Sequence, residues 1–270
     1  MLGAKSRMAG FVAGLRVVFA SIVALALAAV AGMSIAKAGE DPAPTLVQAR
    51  AILQASDRYR GGVSQGGRWT VSLRSTDGES VQTSRYAVKA KGTNALAECL
   101  EPARNRNELI LFGKNALWFY RPGLRRPLAL SARQRLIGEA ANGDIAATNY
   151  AGDYIVESIS SSEVAGQPAW LLALKAKEKT ATYDRIRYWI SKRDSLGVKA
   201  EFLTLQGETF KRATFEYKNQ IKVDGQVYPF VSKMIIVNAT FANQVTTLTY
   251  DAPSAVPVSD GDFNVNNLIR

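Results

Sequence analysis

Residues 68–75 read RWTVSLRS, and this alternation of apolar and polar side chains decides the fold class. Trp69, Val71 and Leu73 fall on one side of an extended chain, because successive side chains of a β-strand point to opposite faces. The turn-forming residues 75–78, STDG, lead into a second strand-like run at residues 80–91. The pattern predicts a β-hairpin with one apolar and one polar face.

The same pattern continues along the chain in short runs separated by tight turns. These runs are residues 95–100, 108–112, 116–120, 154–160, 170–175, 183–190, 198–205, 210–217, 229–237 and 245–250. About eleven strands in sequence order, without helical crossovers, predict a mainly β protein. We expect a strongly curved antiparallel sheet, or an incomplete barrel, with one polar and one apolar face.

One amphipathic helix is predicted before the strands. Apolar residues recur at helical spacing over residues 46–59, and Thr45 is placed to cap the helix N-terminus. Gly61 and Gly62 predict its end. Such a helix must lay its apolar face on the sheet.

The regular spacing of strands is interrupted once, by residues 121–150, which we call the insert. The insert is longer than ordinary connections. Within it, residues 127–138 are predicted to form a short helix, whose apolar side chains are candidates for a lid: Leu128, Leu130, Leu136 and Ile137. The insert is either a lid that moves over a hollow or a packing element that closes the open end of the sheet.

Residues 1–38 are predicted to form a cleaved Sec signal peptide. Basic residues precede an apolar run at residues 17–30, and residues 36–38, AKA, give the small-x-small pattern of a cleavage site. The mature protein is therefore predicted to start near Gly39, to form one domain over residues 39–270, and to reside in the periplasm. The alternative is an uncleaved transmembrane anchor.

The residue inventory excludes several kinds of active site. The sequence contains no histidine, which excludes a histidine general base, a Ser-His-Asp triad and a His-ligated zinc site. The single cysteine, Cys99, excludes an intramolecular disulfide, and its apolar neighbours predict burial. Catalysis by carboxylates alone or by a serine-lysine pair stays open as an alternative, but the sequence shows no pair of carboxylates positioned for it. We therefore expect a non-enzymatic protein with no catalytic residues, no metal and no cofactor.

The basic surplus is modest and spread along the chain. Removal of residues 1–38 takes away four basic residues and no acidic one, which lowers the formal net charge from +11 to +7. Dispersed charge on an exported protein argues against nucleic acid as a partner. The cluster of Arg121, Arg125 and Arg126 is either a solvated rim or a docking site for carboxylates or phosphates.

Three stretches resemble a known family. Residues 107–122, NELILFGKNALWFYRP, resemble a unit of strand, glycine turn and tryptophan-containing strand, and residues 188–201, YWISKRDSLGVKAE, resemble a second strand pair. Asp262, Phe263 and Leu268 resemble the usual ending. The family is that of the outer-membrane lipoprotein-sorting proteins, in their LolA-like branch. The chain departs from the pattern at Gly197, where proline is common.

The resemblance implies a sheet curled into an unclosed half-barrel, with helices over the hollow and an apolar cavity for acyl chains. Ordinary core packing is the alternative for each residue that we predict to line this cavity. The candidates are Trp69, Val71, Leu73, Leu109, Leu111, Trp118, Tyr120, Trp170, Leu172, Leu174, Phe202 and Phe215.

The predicted function is a monomeric periplasmic carrier that moves lipoprotein or lipid acyl chains between membranes. The expected partners are an envelope membrane transporter or an outer-membrane acceptor. The alternative is a regulatory module that uses the same cavity to sense mislocalised lipoproteins and signals to a membrane-bound partner.

Overall fold

The computed structural model describes residues 43–113, 116–146 and 148–269. The predicted signal peptide lies outside the described residues. The first described helix, α1, spans Leu46–Arg58. The Gln48 backbone N–H donates to Thr45 Oγ1 at 3.3 Å, and the Thr45 N–H donates to Gln48 Oε1 at 2.8 Å. This capping box confirms Thr45 as the N-cap.

Strands make up most of the described chain. They are β1 Gly67–Asp77, β2 Ser80–Lys91, β3 Asn94–Glu101, β4 Leu109–Gly113, β5 Ala116–Tyr120, β6 Leu128–Leu130, β7 Arg135–Ile137, β8 Ala140–Ala141, β9 Tyr154–Val164, β10 Gln167–Ala176, β11 Arg185–Ser191, β12 Gly197–Leu203, β13 Thr209–Glu216, β14 Asn219–Val223, β15 Gln226–Phe230, β16 Lys233–Asn238 and β17 Gln244–Ala255. A one-turn helix, α2, spans Tyr150–Asp153.

Thirteen of the described strands form one antiparallel, strongly curved sheet in the order β6-β5-β4-β3-β2-β1-β17-β16-β13-β12-β11-β10-β9. The sheet does not close, because β6 and β9 stand at its two ends without pairing to each other. The prediction of a curved, unclosed antiparallel sheet is confirmed, with thirteen strands in place of about eleven. The predicted strand at residues 229–237 is divided between β15 and β16, and β15 pairs with β14 in a separate hairpin.

The two faces of the sheet carry different apolar clusters. On the inner face, which α1 covers, side chains from β1, β2 and β10–β13 pack with Leu53 of α1. On the outer face, Leu96, Leu109, Leu111 and Tyr120 pack with Leu268 near the C-terminus. Cys99 is buried in the inner cluster, as predicted.

A C-terminal segment covers the outer cluster. It contains two short 3-10 helices, Asp260–Phe263 and Val265–Leu268. Ion pairs fix it to β2, since Lys89 Nζ lies 3.3 Å from Asp262 Oδ1 and Lys91 Nζ lies 2.8 Å from Asp260 Oδ1. Residues 260–268 therefore cover the outer face of the sheet at β2–β5.

The insert contains strands where the sequence predicts a short helix. Leu128–Leu130 pairs with β5 and so gains the hydrogen bonds of a sheet edge, and β7 pairs with β8. Gly138, at φ +51°, makes the tight turn between β7 and β8, a conformation that a continuous helix excludes. Among the described residues of the insert, helical turns occur later, at Asn142–Ile145 and at the start of α2.

Among the described residues, no helix has the length and apolar character needed to cross a bilayer.

Candidate functional site

The structure divides the predicted cavity residues between the two faces. Eight of them belong to or pack against the inner cluster: Trp69, Val71, Leu73, Trp170, Leu172, Leu174, Phe202 and Phe215. The other four lie in or against the outer cluster: Leu109, Leu111, Trp118 and Tyr120. In β4 and β5 the side chains on the inner face are instead those of Ile110 and Leu117. The structure therefore does not bring the second group to the inner face.

The insert lies over the inner face. Ile137 is buried in the inner cluster, and Leu130 and Leu136 are half-buried against it. Leu128 is 46% exposed. Ile145, further along the insert, is fully buried in the same cluster. Three of the four predicted lid residues thus contact the apolar surface that the sheet presents.

Polar contacts hold the middle of the insert to the sheet. Gly138 packs so closely on β1 and β17 that an added Cβ would lie 1.8 Å from Ser75 Oγ. The next residue, Glu139, donates its backbone N–H to Thr246 Oγ1 at 2.8 Å. Tyr183 Oη donates to Asp144 Oδ2 at 2.7 Å. Arg133 of the insert also pairs with Asp184 at 2.5 Å, and Lys211 of β13 donates to the Glu139 carbonyl at 2.5 Å. Polar contacts therefore hold the insert to β17, to β13 and to the segment before β11.

A buried arginine occupies the inner cluster beside α1. The Arg60 guanidinium carbon lies 4.2 Å from the Phe215 ring centroid and 5.1 Å from that of Tyr150. Its hydrogen bonds are long, 3.4 Å to Tyr188 Oη and 3.9 Å to Met234 Sδ. The ion pairs of the described residues do not include Arg60. Aromatic faces therefore stabilise a cation that retains donor capacity.

A buried carboxyl group links α1 to the far end of the insert. Asp57 Oδ2 accepts from the Ala151 backbone N–H at 2.8 Å, and Oδ1 has no partner among the described residues. Burial raises the pKa of Asp57 to about 7, against the opposing effects of the Ala151 hydrogen bond and the Arg60 charge. Burial also raises the pKa of Asp144, and the hydrogen bond from Tyr183 opposes that shift.

Tyr188 joins these groups to the sheet. Its Oη lies 3.0 Å from Ser56 Oγ on α1 and accepts from Arg60, while its ring meets that of Tyr150 edge to face at 5.3 Å. Gly197 provides the space for this phenol, because an added Cβ would lie 1.7 Å from Tyr188 Oη. The departure from proline at position 197 therefore has a steric reason in this chain.

Sequence reasoning missed Asp57, Arg60 and Tyr188. A signal existed for the first two, because Ser56, Asp57 and Arg60 continue the helical spacing of the buried Ala49 and Leu53. Polar and charged residues on the apolar stripe of a helix indicate buried polar interactions.

A cavity of about 560 Å³ opens beside the insert. Phe112, Leu117 and Leu130 line one side, and Lys177 and Thr182 of the β10–β11 connection line another. Its volume is in the range of small-molecule pockets, roughly 300–1,000 Å³. The seam between the two ends of the sheet thus leaves an opening with apolar and polar walls. Among the described residues, no group of three or more Cys, Asp or Glu side chains forms a metal site.

These features define a class of protein: an unclosed, curved antiparallel sheet whose apolar inner face is covered by a helix and by a separate insert. Residues 91–270 match a protein family described only as an uncharacterized protein. No curated protein matches the sequence.

Solved structures share this fold over most of their length. A LolA superfamily protein from Nitrosomonas europaea is 28% identical, with a TM-score of 0.72 over 81% of this chain and 98% of that chain. A domain from Vibrio parahaemolyticus, described as an outer membrane lipoprotein-sorting protein domain, is 19% identical, with a TM-score of 0.69 over 84% and 100%. A DUF1329 family protein from Desulfovibrio piger is 19% identical, with a TM-score of 0.65 over 83% and 100%. The chain belongs to the LolA-like family, which confirms the resemblance in its sequence.

Proposed function

We propose that the protein is a non-enzymatic periplasmic carrier that binds acyl chains of lipoproteins or lipids between the inner face, α1 and the insert. We call this space the hollow. The observation that carries the proposal is that the apolar inner face is covered by a separate segment rather than by the sheet itself. The likeness to a LolA superfamily protein and to a lipoprotein-sorting domain supports it.

The energetics allow an acyl chain to replace the insert. Burial gains about 0.8 kcal/mol per methylene, so a chain of about sixteen carbons gains on the order of 10 kcal/mol. Displacement of the insert exposes Ile137, Ile145 and the covered parts of Leu130 and Leu136. At about 2 kcal/mol for a fully buried aliphatic side chain, this exposure costs about 6 kcal/mol. Apolar burial alone therefore favours cargo by a few kcal/mol, and the loss of the polar contacts at Glu139, Asp144 and Arg133 reduces that margin.

Arg60 gives the hollow a polar end. Its guanidinium is buried and its two hydrogen bonds are long, so it can donate to an ester or headgroup oxygen without losing an ion pair. We assign Arg60 to these oxygens and the apolar inner face to the chains. A carrier of this kind works as a monomer and exchanges its cargo with an envelope transporter or an outer-membrane acceptor.

Hydrogen exchange with and without a bound long-chain fatty acid tests the proposal. We expect native mass spectrometry to show one or more bound chains and exchange to become faster across residues 131–146. Binding with unchanged protection there would make the insert a static packing element. Absence of binding would contradict carriage altogether.

A pair of leucines in the insert sharpens this test. Leu136→Ala removes contacts with the inner cluster, so it should weaken the closed insert and tighten fatty-acid binding by severalfold. Leu128→Ala is the matched control, because Leu128 is half exposed and should leave affinity unchanged. Cargo-dependent affinity for a membrane protein, without transfer of cargo, would instead favour the sensing function.

A further inference from the structure

Three hairpin turns lie side by side at one end of the large sheet. They are the β1–β2, β16–β17 and β12–β13 turns, and they make up residues 77–80, 239–243 and 204–208. The pairing of Asp77 with Gln244, and of Lys211 with Asn238, makes these turns neighbours. Adjacent hairpins are about 10 Å apart, because paired strands are spaced about 4.8 Å. We call this end of the sheet the tip rim.

Large apolar side chains project from the tip rim. Leu205 is 69% exposed and Phe241 is 56% exposed, and the exposed Phe210 lies between them at the start of β13. The turn at residues 239–243 carries no charged side chain, and the turn at residues 204–208 carries one, that of Glu208. The β1–β2 turn carries Asp77 and Glu79, so the apolar part of the rim is formed by the other two turns. Apolar side chains concentrated at neighbouring tips indicate a contact surface.

Hydrogen bonds hold these side chains in their exposed positions. Asn238 Oδ1 accepts from the backbone N–H groups of Thr240 at 2.9 Å and Phe241 at 3.1 Å. The Thr204 N–H donates to the Glu208 carbonyl at 2.9 Å, which closes the turn that carries Leu205. The tips are therefore pre-organised, and little conformational entropy is lost when they contact a partner.

Cationic side chains stand behind the apolar tips. Lys211 and Arg212 follow Phe210 on β13, and Arg212 shares Glu201 with Arg187 and Lys199, which leaves that group a net positive charge. Arg133 of the insert lines a cavity of about 330 Å³ together with Leu205 and Phe210, but its charge is balanced by Asp184 at 2.5 Å. Tips that enter an apolar layer, with cations set back from them, match the depth profile of a bilayer, where phosphates lie outside the acyl chains.

The tip rim also adjoins the moving part of the hollow. The β7–β8 turn of the insert contacts Ser75 and Thr246, which pair with each other two positions from the turn ends of β1 and β17. A membrane in contact with the tip rim would thus face the closed end of the insert. We propose that the tip rim docks the protein on a phospholipid bilayer, an inference that rests on the proposed function and names the surface through which cargo is exchanged.

Vesicle sedimentation tests the docking surface. Protein purified from the periplasm is mixed with vesicles of phosphatidylethanolamine and phosphatidylglycerol. The double variant Leu205→Ser/Phe241→Ser should bind roughly tenfold more weakly than wild type, because the inserted apolar area is lost. The matched control is Val47→Ser/Val227→Ser, which changes two exposed valines on α1 and on the β14–β15 hairpin at the opposite end of β13 and β16.

Fatty-acid uptake in vesicle-free solution separates this inference from the proposed function. The tip-rim variant should take up a fluorescent fatty acid as wild type does, because its substitutions lie outside the hollow. The docking surface is wrong if both double variants bind vesicles equally well, or if wild-type protein does not bind vesicles, even when fatty-acid uptake is normal. A protein partner would then fit the rim. If only the tip-rim variant loses vesicle binding, and wild-type protein takes up no fatty acid, the docking surface is supported and the carrier function is contradicted.

Discussion

Gly197→Ala should destabilise the protein because of one close approach. The residue begins β12, and an added Cβ would lie 1.7 Å from Tyr188 Oη and 2.4 Å from Tyr188 Cζ. Tyr188 is fully buried and bonds to Ser56 and Arg60, so its ring cannot yield without breaking those contacts. Overpacking costs about 1–3 kcal/mol and an unsatisfied buried hydroxyl about 1–3 kcal/mol, which together give an expected loss of about 2–6 kcal/mol.

Urea unfolding measures this loss. With a slope of about 2–3 kcal/mol per molar urea, the midpoint should fall by roughly 1–2 M. Gly67→Ala is the matched control, since the nearest atoms to its added Cβ lie at 3.5 Å, an ordinary contact. That control should be neutral or slightly stabilising, because alanine restricts the unfolded chain.

A second substitution tests whether the phenol is the cause. In a Tyr188→Leu background the ring and hydroxyl are absent, so Gly197→Ala should lose much less stability than it does alone. An unchanged urea midpoint for the single variant, or an equal loss in both backgrounds, would refute the steric argument.

Three further results are expected. N-terminal sequencing of the envelope fraction should return Gly39, and a sequence beginning at Met1 would contradict signal-peptide cleavage. Leu73→Ala and Leu111→Ala should each cost about 2–5 kcal/mol in urea unfolding, since both side chains are buried, but only the change at Leu73, on the inner face, should alter fatty-acid affinity. Folding raises the pKa of Asp57 from 3.8 to about 7, so the free energy of unfolding should fall as pH rises from 4 to 7, by about 1.4 kcal/mol per pH unit relative to Asp57→Asn. Above about pH 8 the stability curves of wild type and of this variant should run parallel. Parallel curves over the whole pH range would show that the pKa of Asp57 is ordinary.

The hairpins and α1 are predictable because their signals are local. Alternation over residues 68–75 and the Thr45 capping box each depend on neighbours along the chain. In β4 alternation cannot identify the inner face, because the consecutive residues Leu109, Ile110 and Leu111 are all buried. A strand that is covered on both faces has no alternation, so its inner side chain cannot be chosen from the sequence.

The insert and Arg60 are hidden for a different reason. The β6–β8 strands have two or three residues each, too few to show a period. Arg60 differs from the nearby Arg58 only through tertiary contacts with Tyr150 and Phe215, which lie far along the chain. Local sequence therefore predicts the scaffold well, while the polar centre of the hollow requires the assembled fold.

The two covers of the sheet are held in different ways. The outer cover, residues 260–268, is held by Leu268 and two ion pairs. The insert is fixed at both ends, because β6 and β9 are the opposite edges of the same sheet. It would therefore open by bowing between those edges. The contacts that must break include the hydrogen bonds at Glu139 and Asp144 and the ion pair of Arg133 with Asp184. Under the proposed function, opening of the insert would admit cargo without loss of sheet structure, as repeated loading and unloading requires.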